Sequence, residues 1–125
     1  MGRRVVADFT FRIEGGVDAP GTARRLLRRV HNDIGADELQ IVTLLTSELV
    51  SNAIRHASSQ FVDMKAEVTD RAIRIEITDN GHGFVPRRPS PDLSRPHGWG
   101  LYLVEELADR WGVTGTNVWF ELDRA

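Results

Sequence analysis

Between residues 39 and 57 the chain carries a run that leaves little freedom in how it folds. Ile41, Val42, Leu44, Leu45, Leu49, Val50, Ala53, Ile54 and Ala57, set at 100° per residue, surround most of a helix, so this helix is expected to be largely buried. A helix that is apolar nearly all round needs other elements on more than one side, and the rest of the chain must supply them. Glu48 and Asn52 break the pattern. They are four residues apart, so they stack on one face, beside Ile41 and Leu45 rather than among Ser47, Ser51 and Arg55. An unpaired buried polar group costs roughly 1–3 kcal/mol, and a charge more. Two accounts are open. The two side chains form a structural hydrogen-bonded pair, or the arc faces a ligand cavity. In the second account Asn52 offers a carbonyl oxygen to a hard metal ion and Glu48 takes a proton.

What surrounds the helix is bounded by size and charge. A chain of 125 residues is expected to form one domain, residues 1–125, around one core. Its formal net charge of −2 gives no reason to expect nucleic acid or a membrane as the main partner. It has no cysteine, which excludes disulfides and thiolate metal sites. Arg3 and Arg4 are not followed by a long apolar stretch. No signal peptide is read there and no segment reaches membrane-spanning length, so a cytoplasmic protein is expected.

Phe9, Phe11 and Ile13 alternate with polar residues and predict a first strand, ended by Gly15 and Gly16. Asp18-Ala19-Pro20 opens a helix, and Ala23, Leu26, Leu27, Val30 and Ile34 give it an apolar stripe. Its other face carries Arg24, Arg25, Arg28 and Arg29, either a solvated face or a surface for an acidic partner. Gly35 separates it from the central helix. After that helix, residues 62–68 and 73–77 alternate in period 2 and predict an antiparallel hairpin with one face on the core.

The second of those strands runs into Asp79-Asn80-Gly81-His82-Gly83-Phe84. Glycines so close to a strand end allow a ligand to approach the backbone. Residues 85–97 hold Pro86, Pro89, Pro91 and Pro96 with Arg87, Arg88 and Arg95, and no apolar period. They read as a long basic loop. Gly98-Trp99-Gly100-Leu101 then opens a helix with Leu101, Val104, Leu107, Ala108 and Trp111 on its buried side. Free amides at a glycine-rich helix start favour phosphate. Gly112 is expected to stop this helix before a final hairpin or strand over 113–122.

In this order and spacing the motifs resemble those of the GHKL, or Bergerat-fold, ATPases. ELVSNAIRHA is similar to the asparagine helix of that family, Asp79 to Gly83 to its first glycine motif, and Gly98 to Leu101 to its second. Within the family the chain looks most like the anti-sigma factors that are also serine/threonine-protein kinases. The resemblance implies an α/β (α+β) two-layer sandwich, its sheet mixed but mainly antiparallel, with the helices on one face. It implies ATP and Mg²⁺ as cofactors, with Asn52 on Mg²⁺ and Glu48 as general base. Asp79 would meet the adenine amino group, and Gly81 and Gly83 would let the backbone approach the nucleotide. Gly98, Gly100 and Leu101 would hold the phosphates beneath a basic lid that includes Arg95. The implied partners are a STAS-type anti-anti-sigma protein as substrate, a sigma factor to be sequestered, and a second copy of the chain. One departure stands out: many relatives have an arginine between the glycines of the second motif, where this chain has Trp99. A nucleotide-binding module without phosphotransfer is the alternative.

Overall fold

A computed structural model describes residues 4–30, 32–56, 60–80 and 100–124. Strand β1 is Val5–Glu14. Helices α1, Ala19–Leu27, and α2, Ala36–His56, follow, with a 3₁₀ turn at Arg28–Val30 between them. The hairpin of β2, Phe61–Thr69, and β3, Ala72–Asp79, comes next. Helix α3, Gly100–Leu107, leads to β4, Arg110–Thr114, and β5, Asn117–Asp123.

The strands form one sheet in the order β1-β2-β3-β5-β4, and each pairing is antiparallel. The expected α+β fold with a mainly antiparallel sheet is what the structure shows, and among the described residues the sheet holds no parallel pair and so is not mixed. The reason no parallel pair forms among the described residues is β5. Both β3 and β4 run antiparallel to it, so they run the same way, and β5 lies between them.

Alternation along the strands sends one set of side chains into the core and the other to an open face. Ile73, Ile75 and Ile77 of β3 are buried with Val118 and Phe120 of β5, and Val42, Leu45 and Leu49 of α2 belong to the same core. Each such side chain contributes roughly 1.5–3 kcal/mol through burial. On the open face, Arg74 reaches Glu76 and Glu121 and stacks over Trp119. Arg110 donates to Glu121 and to Asp123, and its hydrogen bond holds the Asp123 carboxyl below the usual carboxylate range.

Four details differ from the sequence reading. The apolar stripe of α1 continues through Val30 and Ile34, but the helix ends at Leu27 and tightens into the 3₁₀ turn, where the Arg28 N–H bonds the carbonyls of Arg25 and Leu26. Helix α2 begins at Ala36, ahead of Leu39, because Glu38 Oε1 accepts from the Gly35 amide at 2.8 Å, one half of a capping box. Leu44, expected on the buried arc, is 40% exposed. Trp111 and Gly112 are strand, not helix. Asp109 N–H donates to the Glu121 carbonyl at 2.9 Å and pairing takes over from there. Gly112 serves that strand: a Cβ on it would lie 2.8 Å from Trp119 Nε1.

Candidate functional site

The two ends of the sheet are built differently. At one end β1 and β3 finish and β2 and β5 begin. Helix α2, with 21 residues and about 30 Å long, finishes at this end, because a short link joins it to Phe61. Asn52 lies in its closing turns and is 8% exposed, while Glu48, one turn earlier, is half-buried. Asp79, the last residue of β3, is 5% exposed and faces Val62 in register.

Hydrogen bonds fix these pieces to one another. Asp79 donates its backbone N–H to the Thr116 carbonyl at 3.0 Å, which ties the end of β3 to the β4–β5 turn. Asn80 Oδ1 accepts from the amides of Gln60 and Phe61 at 2.9 and 3.2 Å. The link that leaves the asparagine helix is thus stitched to the residue after Asp79. Sequence reasoning passed over Asn80 as part of a glycine motif. An Asn directly after a strand and before a glycine is a common backbone-capping signal and marks it.

Helix α3 opens at the same end. Strand β4 follows it and starts at the opposite end, where Arg110 pairs with Glu121. Helix α3 therefore runs back along the sheet, packed on α2, and its first residues, Gly100 and Leu101, lie toward Asp79. The structure brings Glu48, Asn52, Asp79, Gly100 and Leu101 to one end of the fold. Gly81, Gly83, Arg95 and Gly98, with the lid 85–97 and Trp99, lie outside the described residues.

Asn52 and Asp79 thus put a buried amide and a buried carboxylate, both carrying hard oxygen atoms, toward this end of the apolar core. Hard oxygen atoms are the donors that a divalent cation such as Mg²⁺ accepts.

The histidine kinase-like ATPase domain family matches residues 17–122, and the chain belongs to that family. Among its relatives, the serine-protein kinase RsbW of Staphylococcus aureus strain MSSA476 is 26% identical over 116 residues, covering 78% of this chain and 73% of the relative. RsbW of strain JH9 matches at the same 26% identity over the same coverage. Among solved structures, the RsbU and RsbW domains of Rv1364c from Mycobacterium tuberculosis share the fold with a TM-score of 0.65 at 21% identity, over 95% of this chain. This chain spans 32% of that larger one. No helix among the described residues is long and apolar enough to cross a membrane.

Proposed function

We propose that this chain is a Mg²⁺-dependent serine/threonine-protein kinase that phosphorylates a STAS-type anti-anti-sigma protein and sequesters a sigma factor, working as a homodimer in the cytoplasm. The observation that carries it is Glu48 on α2, half-buried, one turn before the buried Asn52 and toward the end of the fold that holds Asp79. A module that only binds nucleotide has little use for a carboxylate there. The relatives named serine-protein kinase RsbW support the same reading.

The residues fit the cofactors. Bound ATP with Mg²⁺ supplies the phosphoryl group and the charge neutralisation that its transfer needs. Asn52 offers its amide oxygen, a hard donor of the kind Mg²⁺ accepts alongside phosphates and water. Asp79 accepts a hydrogen bond from the adenine amino group. Gly81 and Gly83 would let the backbone approach the nucleotide, and Gly98, Gly100 and Leu101 would hold its phosphates. Arg95, in the lid, adds positive charge. Glu48 takes the proton from the substrate serine hydroxyl.

Trp99 favours a second reading. It stands where many relatives have an arginine, and without that cation the chain would bind nucleotide and a partner but transfer little phosphate. One experiment separates the two. Purified protein is incubated with Mg²⁺, γ-labelled ATP and a STAS-type protein. Label on the STAS serine supports the kinase. ATP bound in calorimetry with no label on any STAS-type protein leaves the binding module.

A further inference from the structure

Asn80 stands where β3 leaves the sheet. The pairing of β2 with β3 stops at Asp79, with Val62 opposite. One residue further on, a side chain takes the place of that pairing. Asn80 Oδ1 accepts from the amides of Gln60 at 2.9 Å and Phe61 at 3.2 Å. Both partners are backbone N–H groups, so what the position supplies to them is an acceptor and not a donor.

Gln60 is held from its other side as well. Its carbonyl accepts from the amide of Gly15, just past the end of β1, at 2.7 Å. Asp79 in turn donates its N–H to the Thr116 carbonyl at 3.0 Å. A row of bonds therefore crosses this end of the sheet, from Gly15 to Gln60, from Gln60 and Phe61 to Asn80, and from Asp79 to Thr116. It ties together the segments that follow β1, α2 and β3 and the turn that precedes β5. The bonds at Gly15 and Thr116 run from backbone to backbone. The join at Asn80 is made by a side chain, so it is the link that a substitution can cut.

The residues on either side of that link are Asn52, in the closing turns of the helix that leads to Gln60, and Asp79, the neighbour of Asn80 in the chain. Both are buried. We propose that Asn80 is a positioning residue that holds the Asn52 end of α2 in register with Asp79, so that one nucleotide meets both at once. This rests on the nucleotide reading above, in which Asp79 meets the adenine amino group and Asn52 the Mg²⁺ on the phosphates. A ligand gripped at two points gains from the second grip only when the two are correctly spaced. Adenosine has the first grip alone. Cutting the link therefore penalises MgATP and spares adenosine, a split that a loss of stability does not produce.

The test uses the full chain well below the melting temperature of every variant, with MgATP followed by calorimetry and adenosine by ligand-observed NMR. Asn80→Ala should weaken MgATP about tenfold, the effect of a small misplacement between groups that act together. Its adenosine affinity should be unchanged. Asn80→Asp keeps an oxygen for the two amides and should restore MgATP affinity. Thr69→Val is the structural control. Thr69 Oγ1 also accepts from two backbone amides, those of Arg71 and Ala72, but at the opposite end of the sheet. That variant should melt at a lower temperature and bind both ligands as the wild type does. The proposal is overturned if Asn80→Ala loses adenosine and MgATP alike, if Asn80→Asp fails as Asn80→Ala does, or if Thr69→Val shows the same split. A wild type that binds neither ligand overturns the nucleotide reading and the proposal with it. A wild type that binds both, beside an Asn80→Ala protein of equal MgATP affinity, overturns the proposal alone.

Discussion

The two ends of the sheet use their polar groups differently. The end opposite Asp79 is tied by Arg124, whose guanidinium donates to the Thr69 carbonyl at 2.9 Å and the Asp33 carbonyl at 2.7 Å, beside Glu38. One side chain there joins the β2–β3 turn, the start of α2 and the end of β5. Thr69 Oγ1 closes the turn by accepting from the amides of Arg71 and Ala72. The Asp79 end spends its polar groups otherwise. Asn52 and Asp79 are buried where an apolar residue would pack without desolvation cost. On the function proposed above, Asn52 and Asp79 meet the nucleotide, while Arg124 and Thr69 at the other end serve the fold.

Substitutions at each end should show this separation, beginning with the largest effect. Glu48→Ala is expected to slow phosphotransfer by about 10²–10⁴, the range for a general base, while ATP still binds in calorimetry. A native rate of labelled-phosphate transfer would remove Glu48 from the chemistry. At the opposite end, Arg124→Met is expected to cost roughly 1–3 kcal/mol in denaturant unfolding, because two carbonyls lose a charged donor. Its ATP affinity should stay native; a matching loss of affinity would mean that the two ends are coupled. Asp79→Ala should weaken ATP by roughly 1–3 kcal/mol, because the adenine amino group loses its acceptor. Unchanged affinity would place the adenine elsewhere.

A smaller effect tests the core between the ends. Thr46 is fully buried in α2 and its hydroxyl finds no partner among the described residues. Thr46→Val keeps the shape and removes the desolvated group, so it should gain about 1 kcal/mol in the same unfolding assay. A loss instead would show that the hydroxyl is satisfied in solution. The smallest concerns pH. Arg110 lowers the Asp123 pKa, so this carboxylate stabilises the fold above its unfolded pKa of about 3.9. That contribution disappears as pH falls through the folded value. Asp123→Asn should therefore be the less stable form near neutrality, and the gap between the two melting temperatures should close in acid.

How much was legible follows from what kind of signal each feature leaves. The strands and α2 declare themselves through period, since burial on one face repeats every second residue and burial all round leaves a continuous apolar run. Asn52 was legible because a polar residue in such a pattern is an exception, and it is buried as that exception requires; Asp79 was legible from its place at a strand end just before two glycines. Trp111 was not. It fits the α3 stripe as well as a strand, and what decided it was the pairing of β4 with β5, a contact between segments that local sequence does not encode. The exposure of Leu44 has the same origin: a helix wheel says which residues share a face, not whether a neighbour covers it. Asn80 was visible as a residue but not as a clamp, because its partners, Gln60 and Phe61, lie twenty positions back along the chain.

The position of β5 also governs how the chain is made. On the ribosome, β1, α1, α2, β2 and β3 emerge first, and β3 then offers Ile73, Ile75 and Ile77 on a sheet edge with no neighbour. Its partner is not β4, which is synthesised next, but β5, which follows it and carries Val118, Phe120 and Leu122 to fill the gap. The sheet closes only when nearly all of the described chain is outside the tunnel. Until then the nascent protein carries an exposed apolar edge, the kind of surface that chaperones hold and that pairs wrongly with other chains.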